Sequence, residues 1–189
     1  MIQRIISAFT FNTGVYKEVE EDAAFTPTAW MIVAVVSFFS QLGAYAIIAK
    51  QDGGRWILGA FGGTVFALVG FALGALIISW AGKTFFNAQV TFEELVRTLG
   101  LAYVWNIIGF LGIVALVGPA SACITGPIRF IAGIMGLIAW FVAAKEALDL
   151  EWPQPIGTVI IGWVATLVVS MIASAVMALF WLVPASVQY

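Results

Sequence analysis

Two groups of carboxylates have the spacing that acid–base chemistry asks for: Glu93 with Glu94, and Glu146 with Asp149 and Glu151. A working pair needs a nucleophile, a base or a metal-ligating neighbour, and neither group is accompanied by one. Histidine is absent, which removes the commonest general base, the commonest metal ligand and the usual haem ligand together. The single cysteine, Cys123, excludes an internal disulfide and a thiolate cluster, and near a helix end it reads as a small apolar filler. Gly62-Gly63-Thr64 lies inside an apolar stretch rather than between a strand and a helix, so it is not a phosphate loop. The carboxylates read as solvated helix ends. The expectation is a protein that is not an enzyme, with no catalytic, cofactor-binding or metal-binding residue to assign.

The other polar chemistry sits within apolar segments. Gln41 and Asn106 are the strongest hydrogen-bonding side chains there. Asn106 is expected to reach Gln41 or Thr64, and interhelical bonding is the simpler reading of both residues. A polar cavity around them would instead favour the handling of a solute. Of the eight tryptophans, Trp30, Trp56, Trp80, Trp152 and Trp181 read as interface residues and Trp105, Trp140 and Trp163 as interior ones. An interior aromatic set could line a pigment, quinone or lipid groove, but packing is the simpler reading.

The elements that must position these residues follow from composition. Of 189 residues 62% are hydrophobic and 10% charged, against roughly a quarter charged in a soluble domain. With a net charge of −2 and no Lys/Arg run, no nucleic-acid partner is implied. Between Trp56 and Lys83 lie 26 residues without a charge, about 39 Å as a helix where a bilayer core needs about 30 Å. Gly59, Gly63, Ala67, Gly70 and Gly74 form a file along this stretch at spacings of four and three, the pattern that lets another helix, of this chain or of a second copy, approach closely. The fold expected is all-α, an integral membrane bundle of five helices at about 28–49, 56–83, 99–117, 127–147 and 156–183 (residues 28–189), preceded by a cytoplasmic or interfacial segment, 1–27. In the fifth helix Ser170, Ser174 and Ala178 offer a second small-residue stripe.

In the first segment Ile2, Ile5, Ile6 and Phe9 share one side of a short amphipathic helix suited to the bilayer surface. Tyr16 to Ala24 reads as a solvated helical turn. Pro27 suits the first turn of the first span. Residues 84–98 form the long internal polar connection: Thr91 and Glu94 fit a capping box, Glu93 and Glu94 are spaced to pair with Arg97, and Phe92, Leu95, Val96 and Leu99 make a face for the membrane surface. Pro127 is expected to open the fourth helix, Trp152-Pro153-Gln154-Pro155 to make a rigid turn, and Pro184 to stop the fifth. With five spans, five Lys/Arg fall on the amino-terminal side and three, Lys50, Arg55 and Arg129, on the other, which favours a cytoplasmic amino terminus.

Val15-Tyr16-Lys17-Glu18-Val19-Glu20-Glu21-Asp22 ahead of five apolar segments, Phe92 to Tyr103 (FEELVRTLGLAY) leading into the third, and Trp140 to Leu148 ending the fourth, followed by a Trp-Pro turn and Ile156-Gly157, resemble bacterial members of the Yip (Ypt-interacting protein) family. Where family members often have a proline after the tyrosine of the third span, this chain has Val104-Trp105. The resemblance implies five membrane helices in a bacterial inner membrane and no catalytic residue; eukaryotic members imply trafficking adaptors that engage small GTPases, whereas for bacterial relatives it implies a fold and no settled activity. Three readings follow. The first is a non-enzymatic scaffold or adaptor acting through helix packing, with partners in the bilayer, a second copy or other membrane chains, and soluble proteins at residues 1–27 and 84–98. The second is an accessory subunit of a respiratory or photosynthetic complex, which without histidine would seal rather than ligate cofactors. The third is an oligomeric lipid or small-solute transporter, which the uncharged interior argues against.

Overall fold

The computed structural model describes residues 1–150 and 154–182, and among these every regular element is helical. The helices are α1 (Ile2–Phe9), α2 (Thr13–Glu21), α3 (Thr26–Ala44), α4 (Ala46–Ala49), α5 (Gly53–Phe86), α6 (Phe92–Ala102), α7 (Ala122–Leu148) and α8 (Gln154–Leu182). A 3-10 helix, Tyr103–Leu116, continues α6 without a break. Five helical stretches are long and apolar enough to cross a membrane: Ala23–Ala44, Gly53–Phe86, Phe92–Leu116, Cys123–Leu148 and Gln154–Val176. Their outer faces carry exposed Val35, Phe61, Val65, Ile131, Val164 and Met171, the reverse of a soluble bundle.

Local chemistry places the ends. Asn12 caps α2 by accepting from the Gly14 amide at 3.1 Å, and Asp52 caps α5 by accepting from Arg55 at 3.0 Å. The capping box at α6 forms as spaced: the Thr91 hydroxyl accepts from the Glu94 amide and the Glu94 carboxylate accepts from the Thr91 amide. Asn87 and Asp149 end α5 and α7 in the left-handed conformation, which asparagine and aspartate tolerate better than most residues. Pro27 lies in the first turn of α3.

Several expectations are corrected. The first span breaks at Tyr45 into α3 and α4. Pro127 lies inside α7, which begins at Ala122; its missing N–H costs one backbone bond early in the helix, and the Thr125 hydroxyl donates to the Ser121 carbonyl at 3.1 Å beside it. The third span is one continuous element from Phe92, α-helical to Ala102 and 3-10 beyond. Period three puts Tyr103, Asn106, Gly109 and Gly112 in one line, and this line meets α3. The Ser37 and Tyr103 hydroxyls bond at 3.1 Å. A Cβ on Gly109 would collide with Ser40, and one on Gly112 with the Gly43 carbonyl. The turn at Trp152-Pro153 and the fifth helix's stop at Pro184 lie outside the described residues.

The core sits at one end. There α2 and α6 pack with α3 and α7, burying Tyr16, Val19, Leu95, Leu99, Ala143 and Leu148 in one cluster. Leu95, Val96 and Leu99 therefore face protein rather than a membrane surface, and α2 buries Val15, Tyr16 and Val19 instead of being solvated all round. Ile5 and Phe9 of α1 pack onto the same cluster while Ile2 and Ile6 stay exposed. This capped end carries α1, α2 and the connection into α6. Among the described residues the opposite end carries α4, the turn at 50–52 and the short 3-10 helix Pro119–Ser121.

Candidate functional site

Below the cap α3, α5, α8 and the 3-10 segment line a cavity of about 270 Å³. From the α3 side it is lined by Ser37, Ser40, Gln41 and Tyr45, and from the third span by Tyr103 and Asn106. The α8 wall is Thr166, Ser170 and Ser174, and Gly63, Ala67 and Gly70 let α5 stand close behind. Among the described residues no Asp, Glu, Lys or Arg lines it. The volume is enough for several waters at about 30 Å³ each. Hydroxyls and amides without charge can hold a neutral hydrogen-bonding group and cannot move a proton or activate a nucleophile by themselves.

Its side chains are partly saturated by their own helices. Asn106 donates to the Tyr103 carbonyl at 3.2 Å, Ser170 to Thr166 at 2.8 Å and Ser174 to Ser170 at 2.8 Å. Thr64, expected as an Asn106 partner, donates instead to Ala60 at 2.7 Å. Gln41 on α3 and Asn106 on the third span both line the cavity without bonding each other, so they present amides to it rather than closing it. Toward the cap the cavity ends on Phe71. This ring is fully buried with edge contacts to Trp30 at 5.5 Å, Tyr103 at 5.7 Å and Trp140 at 6.1 Å. Trp30 thus packs inward rather than marking an interface. Trp163, placed inside from its sequence context, is 41% exposed.

The glycine file divides between two neighbours in this chain. Gly63 faces Gln41, where a Cβ would stand 2.7 Å from the side-chain carbon. Gly70 and Gly74 face α8, with a Cβ on Gly74 lying 2.8 Å from the Thr166 hydroxyl and Gly162 answering from the other side against Ile78. Gly59 is buried and Ala67 lines the cavity. Sequence reasoning missed Gly43, Gly109 and Gly112, the closest backbone approach between α3 and the third span. The signal was present as glycines three apart, which share a face at the 3-10 period and drift apart at the α period.

A second cavity, about 390 Å³, opens between the third span and α7 and shares Ser40 and Asn106 with the first. Arg129 lines it. A third groove, lined by Met1, Ile5, Phe9, Met31, Val35 and Ile107 among others, is wholly apolar and runs under α1.

The cap is held by charge. Arg97 is buried and donates to the Val19 carbonyl at 3.0 Å, to the Thr26 hydroxyl at 3.2 Å and, through both Nε and Nη2, to the Glu20 carbonyl. It fastens α2 to α6 and α3 instead of pairing with Glu93 or Glu94. Arg4 bonds Glu18 at 2.7 Å and Asp22 at 2.9 Å, tying α1 to α2. Lys17 meets Asp149 at 2.9 Å and Glu20 at 3.0 Å, tying α2 to the end of α7. The Asp149 hydrogen bond leads in pushing the Lys17 ammonium above its ordinary value. Glu20 moves against its own ion pair: burial raises its pKa, outweighing the attraction of Lys17. Burial likewise raises the Tyr16 hydroxyl, which has no hydrogen-bond partner among the described residues. Glu151 lies outside the described residues, so the acidic group at the end of α7 is Glu146, bonded to Lys145, and Asp149. No three His, Cys, Asp or Glu side chains among the described residues converge as a metal site requires.

Compared with protein-family models, curated proteins and solved structures, the chain matches none of them.

Proposed function

We propose that the chain is a non-enzymatic membrane protein that takes up a small uncharged polar molecule, or the neutral head of a lipid, from the end opposite the cap. The observation that carries this reading is the cavity around Gln41 and Asn106, where hydroxyls and amides stand among small and aromatic residues and, among the described residues, no charge. A polar wall of this extent is costly in an apolar bundle unless water or a ligand meets it. The Phe71 cluster closes it toward the cap. The test is uptake of radiolabelled glycerol and larger polyols into proteoliposomes, with Gln41→Leu and Asn106→Leu beside the parent chain. Saturable uptake, weakened by both substitutions, supports the reading; uptake equal to protein-free vesicles for every polyol contradicts it.

A second reading is favoured by the cap. Arg97 is spent inside the fold, and Glu18, Glu21 and Glu93 face outward on a surface fastened by ion pairs. This is the arrangement an adaptor would use to present an acidic face to a basic partner, and it agrees with the Yip-like pattern of residues 15–22 and 92–103. In this reading the capped end faces a bacterial cytoplasm. Mild-detergent purification from native membranes separates the readings: stoichiometric partner chains support the adaptor, whereas a particle of one or two chain masses leaves the cavity as the working part.

A further inference from the structure

Arg129 is a cation set within a membrane-length helix. It lies seven residues past the start of α7, about 10 Å along the axis. Unlike Arg4, Lys17, Arg97 and Lys145, it has no hydrogen bond or ion pair among the described residues. Its guanidinium lies against the third span, where a Cβ on Gly112 would come within 3.1 Å of Nη1. The cavity it lines contains no carboxylate; Ser40 and Asn106 supply a hydroxyl and an amide, and the same two residues stand in the wall of the neutral cavity. A fork of cationic donors beside hydroxyl and amide donors matches a phosphate oxygen set, and a guanidinium without a protein carboxylate among the described residues leaves its charge for a ligand anion.

We propose that Arg129, Ser40 and Asn106 bind the phosphate of a phosphate ester whose uncharged, hydroxylated head enters the cavity around Gln41. The proposal rests on the cavity reading above and deepens it by naming the ligand class. A glycerol-headed phospholipid and a soluble polyol phosphate share this chemistry. In the lipid case the acyl chains lie along the exposed apolar faces of α7, where Phe130 and Ile134 project outward.

The experiment uses the full chain in a neutral detergent and measures binding of phosphatidylglycerol, phosphatidic acid, glycerol 3-phosphate and glycerol. The variants are Arg129→Gln, Arg129→Lys and Gln41→Leu, with retention of helical circular dichroism as the control for folding. Arg129 is solvent-facing within its cavity, so Arg129→Gln is expected to fold. Loss of one charge-assisted contact lowers affinity for the phosphate ligand about ten- to a hundredfold. The expected result is that Arg129→Gln loses this affinity, Arg129→Lys recovers part of it, and Gln41→Leu weakens phosphatidylglycerol but not phosphatidic acid. Preference for phosphatidylglycerol assigns the lipid source, and preference for glycerol 3-phosphate the soluble one; either supports the site. Phosphatidylglycerol binding unchanged in Arg129→Gln but weakened in Gln41→Leu overturns the phosphate assignment and leaves the neutral cavity standing. Binding that needs Arg129 yet is indifferent to Gln41→Leu for every ligand removes the cavity from the site.

Discussion

At the scale of single residues, two buried charges in the cap behave oppositely. Arg97 is fully engaged by carbonyl and hydroxyl oxygens, so its removal strands several acceptors in the core. Arg97→Met is expected to lose about 2 to 4 kcal/mol, read as the shift in unfolding free energy in detergent. Arg97→Lys recovers only part, because an ammonium cannot reproduce the fork. Glu20 is the reverse case. Burial raises its pKa, so folding favours the protonated acid. Its contribution to stability is therefore present below the ordinary carboxylate value and is lost as pH rises through the raised one. Glu20→Gln has no proton to lose. Its melting temperature is expected to gain on the parent protein as pH rises from about 4 toward neutrality, the range around an ordinary carboxylate value. A gap that narrows with rising pH would reverse the sign assigned to Glu20.

At the scale of elements, the contacts between spans rest on glycines of unequal tolerance. A methyl group on Gly63 meets the movable Gln41 side chain, whereas one on Gly112 meets the Gly43 backbone. Gly63→Ala is expected to stay within about 1 kcal/mol of the parent, the helix propensity gained by replacing glycine offsetting the displacement of Gln41. Gly112→Ala is expected to lose about 1 to 3 kcal/mol, as overpacking does. Gly63→Leu exceeds what Gln41 can yield and is also destabilising. Equal losses for the two alanine variants would show that the backbone contact is not the tighter one. These elements also show what was legible in the sequence. The length and apolarity of the spans, the Thr91–Glu94 capping box and the place of Pro27 could be read directly, because each is a local signal. The 3-10 course of Tyr103–Leu116 could not, since apolar residues fill every position and no period stands out. Nor could the inward face of α6 or the carbonyl partners of Arg97, which depend on α2 folding back from 78 residues away. Gln41 and Asn106 were visible as the polar pair of the interior, but that they would line a space rather than bond across it was set by the glycine contacts around them.

At the scale of the whole molecule, the two ends differ: one is packed, capped and fastened by ion pairs, and toward the other the described residues line uncharged polar walls. Five Lys/Arg on the capped side against three on the other favour placing the cap in the cytoplasm. Cys123, exposed at the end opposite the cap, reports this directly. A membrane-impermeant maleimide is expected to label it in intact cells; labelling only after permeabilisation would invert the molecule. The most direct test of the cavity uses the same reagent. In a Cys123→Ser background, Ser174→Cys is compared with Val164→Cys, both on exposed positions of α8 but only the first in the cavity wall. Ser174→Cys is expected to react several times faster than Val164→Cys and to be protected by the polyol that is taken up. Equal, slow reaction at both positions would mean that lipid and not water fills the space around Gln41 and Asn106, and the cavity would have no solute to hold.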